Sequence, residues 1–240
     1  MPQTSYVFTP CQTHHESANI LEQGASNGVI HGVDSLLFPP PPTLKIIELL
    51  PTEFSTLTLG LEKTGLFEDI SEKHHEGGTF FAPSNRAFAR LGPKVNAFLF
   101  SETGKKYLKA LLQYHVVANQ TLYSDAFYKA KDNESPAVDE VDEGTPKEPF
   151  HVDLPTLLKD KSLSIDISRH GPFVRILING FSTVAFHDGI AKDGVLHILS
   201  SVLIPPKNSG DDQYRGEELT VEDLKERLGP YTDENFVDEL

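Results

Sequence analysis

Residues 27–40 read NGVIHGVDSLLFPP and residues 193–206 read DGVLHILSSVLIPP, so one phrase occurs twice, 166 positions apart. Seven of its fourteen positions are identical, among them Gly28/Gly194, His31/His197 and Pro39/Pro205, and three others exchange one aliphatic residue for another. An offset of about one ordinary domain marks tandem copies of a module, not a solenoid of short units. The second copy closes a stretch with a full body before it, whereas only 26 residues precede the first. The expected division is a C-terminal remnant of an upstream module over 1–38, a proline linker over 39–42, a complete module over 43–206, and an acidic tail with a short helix over 207–240.

Charge and composition narrow the function classes. The single cysteine, Cys11, leaves no intrachain disulfide to form. The first 30 residues hold no long apolar run behind a basic start, so no signal peptide is legible. No stretch is long and apolar enough to expect a transmembrane segment. The net charge of −14 sits in two places. Residues 132–148 carry seven acids and one Lys, and residues 211–240 carry eleven acids against Arg215, Lys225 and Arg227. Both runs read as solvated segments. Nothing basic clusters, which argues against a nucleic-acid partner.

The period of the apolar residues changes along the chain. Helices are expected after Thr43, over Glu53–Thr64 with Gly65 as a stop, and over Asn85–Leu91 with Ser84 as cap. Two more are expected from Pro93 and over Glu102–Leu112. Thr79–Ala82 is a short apolar strand between them. From Phe150 onward the pattern is that of strands: Phe150–Leu154, Leu163–Ser168, Phe173–Ile178, Thr183–Phe186 and Val195–Ile204. Turns are expected at His170-Gly171-Pro172, Asn179-Gly180 and Asp188-Gly189. Thr220 to Asp223 forms a capping box for a last helix over Val221–Leu228. Helices first and hairpin strands afterwards give an α+β module.

Three phrases in this order resemble the fasciclin-type adhesion domain family. The first is TFFAPSNRAF, with Thr79, Phe81, Ala82, Pro83, Ser84 and Phe88. The second is LLQYHVV, with Tyr114 and His115. The third is GVLHILSSVLIP, with Gly194, His197 and Pro205. The resemblance covers about Thr43–Pro206, and the phrase at Asn27–Pro40 resembles the last motif of an upstream copy. The surrounding wording is similar to fungal members. The resemblance implies a wedge of antiparallel-rich sheet packed with several short helices. It also implies a non-enzymatic adhesion or matrix module at the cell surface or in the secretory pathway, and an association of the Tyr114–His115 region with adhesion. Partners would be a protein, a glycan or another fasciclin domain. An alternative is a vacuolar or membrane-trafficking docking factor using the same domain.

Candidate chemistry is sparse. His14-His15-Glu16 and His74-His75-Glu76 repeat one string, but adjacent histidines point apart and the zinc-protease spacing is absent, so no metal is expected. His115 and His197 lie inside aliphatic runs and read as neutral core histidines with satisfied ring nitrogens; Tyr114 reads as core. No nucleophile elbow, phosphate loop or dinucleotide fingerprint occurs, so neither catalytic residues nor a cofactor are expected. Asn119 and Asn133 open glycosylation sequons. Residues 132–148 hold two prolines and almost no apolar anchor. Deleting them is expected to leave the melting temperature nearly unchanged, as differential scanning calorimetry would show; a drop of several degrees would contradict this reading.

Overall fold

Gly65 ends the longest helix in a left-handed conformation, φ 74°, which a glycine adopts without a Cβ penalty. That helix belongs to a chain whose computed structural model describes residues 22–25, 28–31, 36, 38–72, 77–124, 150–170, 173–207 and 219–232. The chain divides into two units, Met1–Pro39 and Pro40–Leu240.

In the first unit β1 (Glu22–Ala25) and β2 (Gly28–His31) form an antiparallel hairpin with Ala25 opposite Gly28 and Gly24 opposite Val29. Residues Tyr6–Phe8, Cys11 and His14–Glu16 lie outside the described residues.

The second unit opens with α1 (Thr43–Leu49) and α2 (Pro51–Thr64). Phe54, Leu57 and Leu61 recur at helical spacing and are fully buried. A further helix, α3 (Leu66–Glu72), follows Gly65 directly. The strand β3 (Gly78–Pro83) then feeds α4 (Asn85–Arg90), whose first turn is capped by Ser84 accepting from the Ala87 amide. Next come α5 (Pro93–Leu99), α6 (Lys105–Gln113) and the short strand β4 (Val116–Ala118). From Phe150 onward the strands are β5 (Phe150–Pro155), β6 (Ser162–His170), β7 (Phe173–Ile178), β8 (Ser182–Ala191) and β9 (Gly194–Leu199).

Among the described residues the sheet of this unit has seven strands in the order β4-β3-β9-β8-β7-β6-β5. Every pairing is antiparallel except β3 with β9. The fold is thus α+β with an antiparallel-rich sheet. One core runs from the helices through β3 and β9 to Leu163, Ile165, Ile167, Ile176 and Ile178 on β6 and β7.

Three local readings change. The Asp188-Gly189 dipeptide does not turn the chain: β8 passes through it with register shifts between Val184 and Gly189. Asp188, at φ 61°, forms part of this bulge. The chain turns instead at Lys192-Asp193. The last strand ends at Leu199, because the Leu203 amide donates to a histidine ring and not to a neighbouring strand. The helix read from Glu102 starts three residues later, since Ser101 takes the Gly104 amide.

The tail helix α7 (Val221–Leu228) carries the capping box of Thr220 and Asp223. It is packed against α5 and α6 with Leu224 and Leu228 fully buried. Its acids face water, so an acidic segment can still supply an apolar stripe to the core.

Two glycines permit the central pairing. A Cβ on Gly194, at φ 150°, would stand 2.3 Å from the Gly78 carbonyl oxygen. Gly194→Ala is expected to cost about 2–5 kcal/mol through backbone overlap and an unfavourable φ. Urea unfolding measures this; a loss below about 1 kcal/mol would contradict the close approach.

Candidate functional site

The three motif phrases meet at one place. Phe81 on β3 lies opposite His197 on β9, and their rings stack with centroids 5.4 Å apart. The Phe81 amide donates to the His115 carbonyl at 2.9 Å. Thr79 donates to the Gln120 carbonyl and accepts from the Leu122 amide, both at 2.8 Å, which fixes the segment after β4. Ser84 caps α4 and donates to the Leu199 carbonyl at 3.2 Å. Ala82, Pro83, Phe88 and Pro205 are buried; Phe88 meets Phe100 edge-on, and the Pro205 carbonyl accepts from Arg227.

Both histidines are wholly enclosed, and their backbone partners fix their tautomers. The Leu203 amide donates to His115 Nε2 at 2.9 Å, so Nδ1 holds the proton and donates to the Leu111 carbonyl at 2.8 Å. The Asp188 amide donates to His197 Nδ1 at 3.3 Å, and Nε2 donates to the Leu122 carbonyl at 2.8 Å. Burial pushes His115 down to about 4 against the pull of the Leu111 bond. Burial likewise lowers His197. Neither ring is placed to accept a proton from a nucleophile. Ser84 and His115 are each committed to backbone, so no triad forms from them.

A second polar cluster surrounds Asp188. Its carboxylate accepts from the Ser124 amide at 2.8 Å, from the Ser124 hydroxyl, and from His187 Nδ1 at 2.8 Å. Partial burial raises its pKa, but these donors outweigh burial and the net shift is downward. Ser124 and His187 both donate to one carboxylate, so the cluster clamps β8 to the segment after β4 and is not a nucleophile–base pair.

A concave feature lies at the outer face of β5 and β6. Ser162, Ser164 and Asp166 alternate with the buried Leu163, Ile165 and Ile167, so they face away from that part of the core. Asp153 stands opposite Ser164. A cavity of about 230 Å3 opens here, walled by Ser162, Ser164, Asp153, Phe181, Ile204 and Pro206, with Tyr114 and Asn179 beneath. The Tyr114 hydroxyl accepts from Asn179 Nδ2 at 2.9 Å and donates to the Ser162 carbonyl at 3.3 Å. Burial pushes its pKa up to about 12 despite the Asn179 bond. Asn179 sits in a turn with positive φ, 51°, followed by Gly180 at 73°. Its Oδ1 accepts from the Ser164 amide at 3.1 Å. The sequence marks Asn179 as a turn residue only; nothing marks the others as neighbours.

Of the remaining candidates, Asn119 is exposed at φ 60°, and Asn133 and His74–Glu76 lie outside the described residues. Among the described residues no group of three or more His, Cys, Asp or Glu side chains is placed to hold a metal ion. No described helix is long and apolar enough to cross a membrane.

Known proteins match this arrangement. The family described as "Fasciclin domain" matches residues 52–205. The aurofusarin biosynthesis cluster protein S of Gibberella zeae is 34% identical over 92% of this chain and 60% of its own length. Human periostin is 26% identical over 86% of this chain and 21% of its own length. Rat stabilin-2 is 32% identical over 42% of this chain and 8% of its own. The chain therefore spans less than two thirds of the length of each of these relatives. A solved domain pair from the insect cell adhesion molecule Fasciclin I superposes with a TM-score of 0.54 over 78% of this chain and 60% of that one, at 19% identity, and so shares the fold.

The buried histidines set a pH dependence. Unfolded histidine titrates near 6.5. Between that value and about 4 the unfolded chain binds a proton that folded His115 refuses. Stability present above pH 6.5 is therefore lost as pH falls toward 4, on the order of 3 kcal/mol from His115. His197 adds in the same direction, and Asp188 adds a loss below its unfolded value near 3.9. Urea titrations from pH 7.5 to 4.5 check this; a flat profile would contradict it. Replacing His197 by Ala is expected to cost about 1–3 kcal/mol at pH 7.5.

Proposed function

The chain belongs to the fasciclin domain family, and on that premise we propose that it is a non-enzymatic adhesion module acting at a cell surface or matrix. The observation that carries this reading is the use of the motif residues. Thr79, Phe81, Ser84, His115 and His197 are all buried and bonded within the fold. They supply rigidity, and recognition is left to exposed surface. The insect Fasciclin I pair, which shares this fold, is described as part of a cell adhesion molecule, in keeping with this reading. The trafficking alternative draws no such support from the relatives named above.

Repetition belongs to the same reading. The β1–β2 hairpin has the register of the β8–β9 hairpin: Ala25 opposite Gly28 and Gly24 opposite Val29 match Ala191 opposite Gly194 and Ile190 opposite Val195. This supports the β1–β2 hairpin as the closing hairpin of an upstream copy. Linked copies raise retention because the second contact forms at high effective concentration.

The fungal relative favours a second reading. Its name places it in a biosynthesis cluster, so this chain would serve as a non-catalytic partner of a biosynthetic enzyme.

The test compares this chain with a two-copy version for retention on cell-wall and matrix extracts. Two copies are expected to be retained about 100-fold more strongly where both sites engage. Equal retention removes the avidity claim. No retention by either version, with co-elution alongside a biosynthetic enzyme, favours the second reading. Turnover abolished by one substitution would overturn the non-enzymatic assignment.

A further inference from the structure

The outer cavity has the chemistry of a particular ligand. A dry cavity of about 150 Å3 holds benzene, so about 230 Å3 holds one ring with its substituents and not two. Phe181, Ile204 and Pro206 supply apolar wall. The same lining includes Ser162, Ser164 and Asp153, residues that carry two hydroxyls and a carboxylate. A wholly apolar ring would strip water from that carboxylate without replacing its hydrogen bonds. A second anion would face the Asp153 side chain, whereas Asp166 is bonded to His151 and Lys161 donates to the Pro206 carbonyl at 3.4 Å. The fitting molecule has an apolar ring face for Phe181 and Pro206, and hydroxyls that both donate to Asp153 and exchange bonds with serines.

We propose that this cavity is a subsite for one neutral pyranose ring of a glycan chain. The proposal rests on the adhesion reading and names its ligand. The floor is prearranged: Asn179 is held by both Tyr114 and Ser164, so the cavity keeps its shape before a sugar arrives. Ser162 and Asp153 are exposed at the rim, and β5 lies at the edge of the sheet, so a ring within a longer chain can reach the cavity from solvent. His151 bonds Asp166 at 2.7 Å and stands 3.7 Å from Asp153, which holds the carboxylates of this face beside a histidine.

The test titrates the full chain with methyl glycosides of glucose, galactose, mannose and N-acetylglucosamine, followed by amide NMR. Glucuronic acid and p-cresol are run beside them. At least one neutral glycoside is expected to bind saturably and to move the Ser164 and Asn179 amides. Asp153→Ala and Phe181→Ala are each expected to weaken it about tenfold, with melting temperature recorded for both. Asp153 is exposed, so its variant keeps the experiment decisive if Phe181→Ala fails to fold. The proposal is overturned if no glycoside saturates, if Asp153→Ala binds as well as the parent, or if p-cresol or glucuronic acid binds in preference. Retention on matrix separates the two claims. A chain that adheres but binds no glycoside keeps the adhesion reading and loses the sugar subsite. A chain that binds the glycoside but adheres to nothing keeps the subsite and loses the adhesion reading.

Discussion

The parallel pairing of β3 with β9 is the constraint on which the rest of the module depends. Its partners are more than a hundred residues apart in sequence, Thr79 with Val195 and Pro83 with Leu199. Such a contact carries a large loop-closure cost and forms no local hairpin. It is fastened by groups outside the ladder. His115 takes an amide from each side, Phe81 through its carbonyl and Leu203 through its ring. His197 reaches from β9 to the Leu122 carbonyl and the Asp188 amide. Helices on one side and the five-strand meander on the other both grow from this seam.

The choice of histidine follows from the geometry. Each ring must donate to one backbone carbonyl and accept from one backbone amide inside an apolar core. A neutral imidazole does both with one planar group, and a phenylalanine of similar size would leave two buried backbone groups unmatched. The consequence is sensitivity to acid, since a protonated ring presents N–H to N–H. The polar side chains of this seam are spent on backbone, and the Tyr114 hydroxyl connects the core to the outer cavity through Asn179 and the Ser162 carbonyl.

Much of the fold is legible in local chemistry. Ser84, Gly65 and the Thr220–Asp223 box mark helix ends because each answers a local hydrogen-bond or dihedral need. The strands from Phe150 onward follow from alternation. What local chemistry does not carry is anything decided by a distant partner. Asp188-Gly189 looks like a turn until Ser124 anchors the carboxylate and the strand continues through a bulge. Val116–Ala118 is too short to announce itself, and becomes a strand because β3 lies beside it. The apolar run after Leu199 reads as strand, yet His115 claims the Leu203 amide. The cavity is the extreme case. Its walls come from positions near 114, 153, 164, 181 and 206, and only the finished fold brings them together.

Native-state hydrogen exchange tests the central claim most directly, because it reports the opening free energy of individual amides. The amides of Phe81 and Leu203, both bonded to His115, are measured at neutral pH against the unfolding free energy from urea. The account predicts that both exchange only with global unfolding, within about 1 kcal/mol of that value. Exchange of either amide through an opening several kcal/mol cheaper, with the β6–β7 amides still protected, would show that the seam opens independently and that the module does not depend on it.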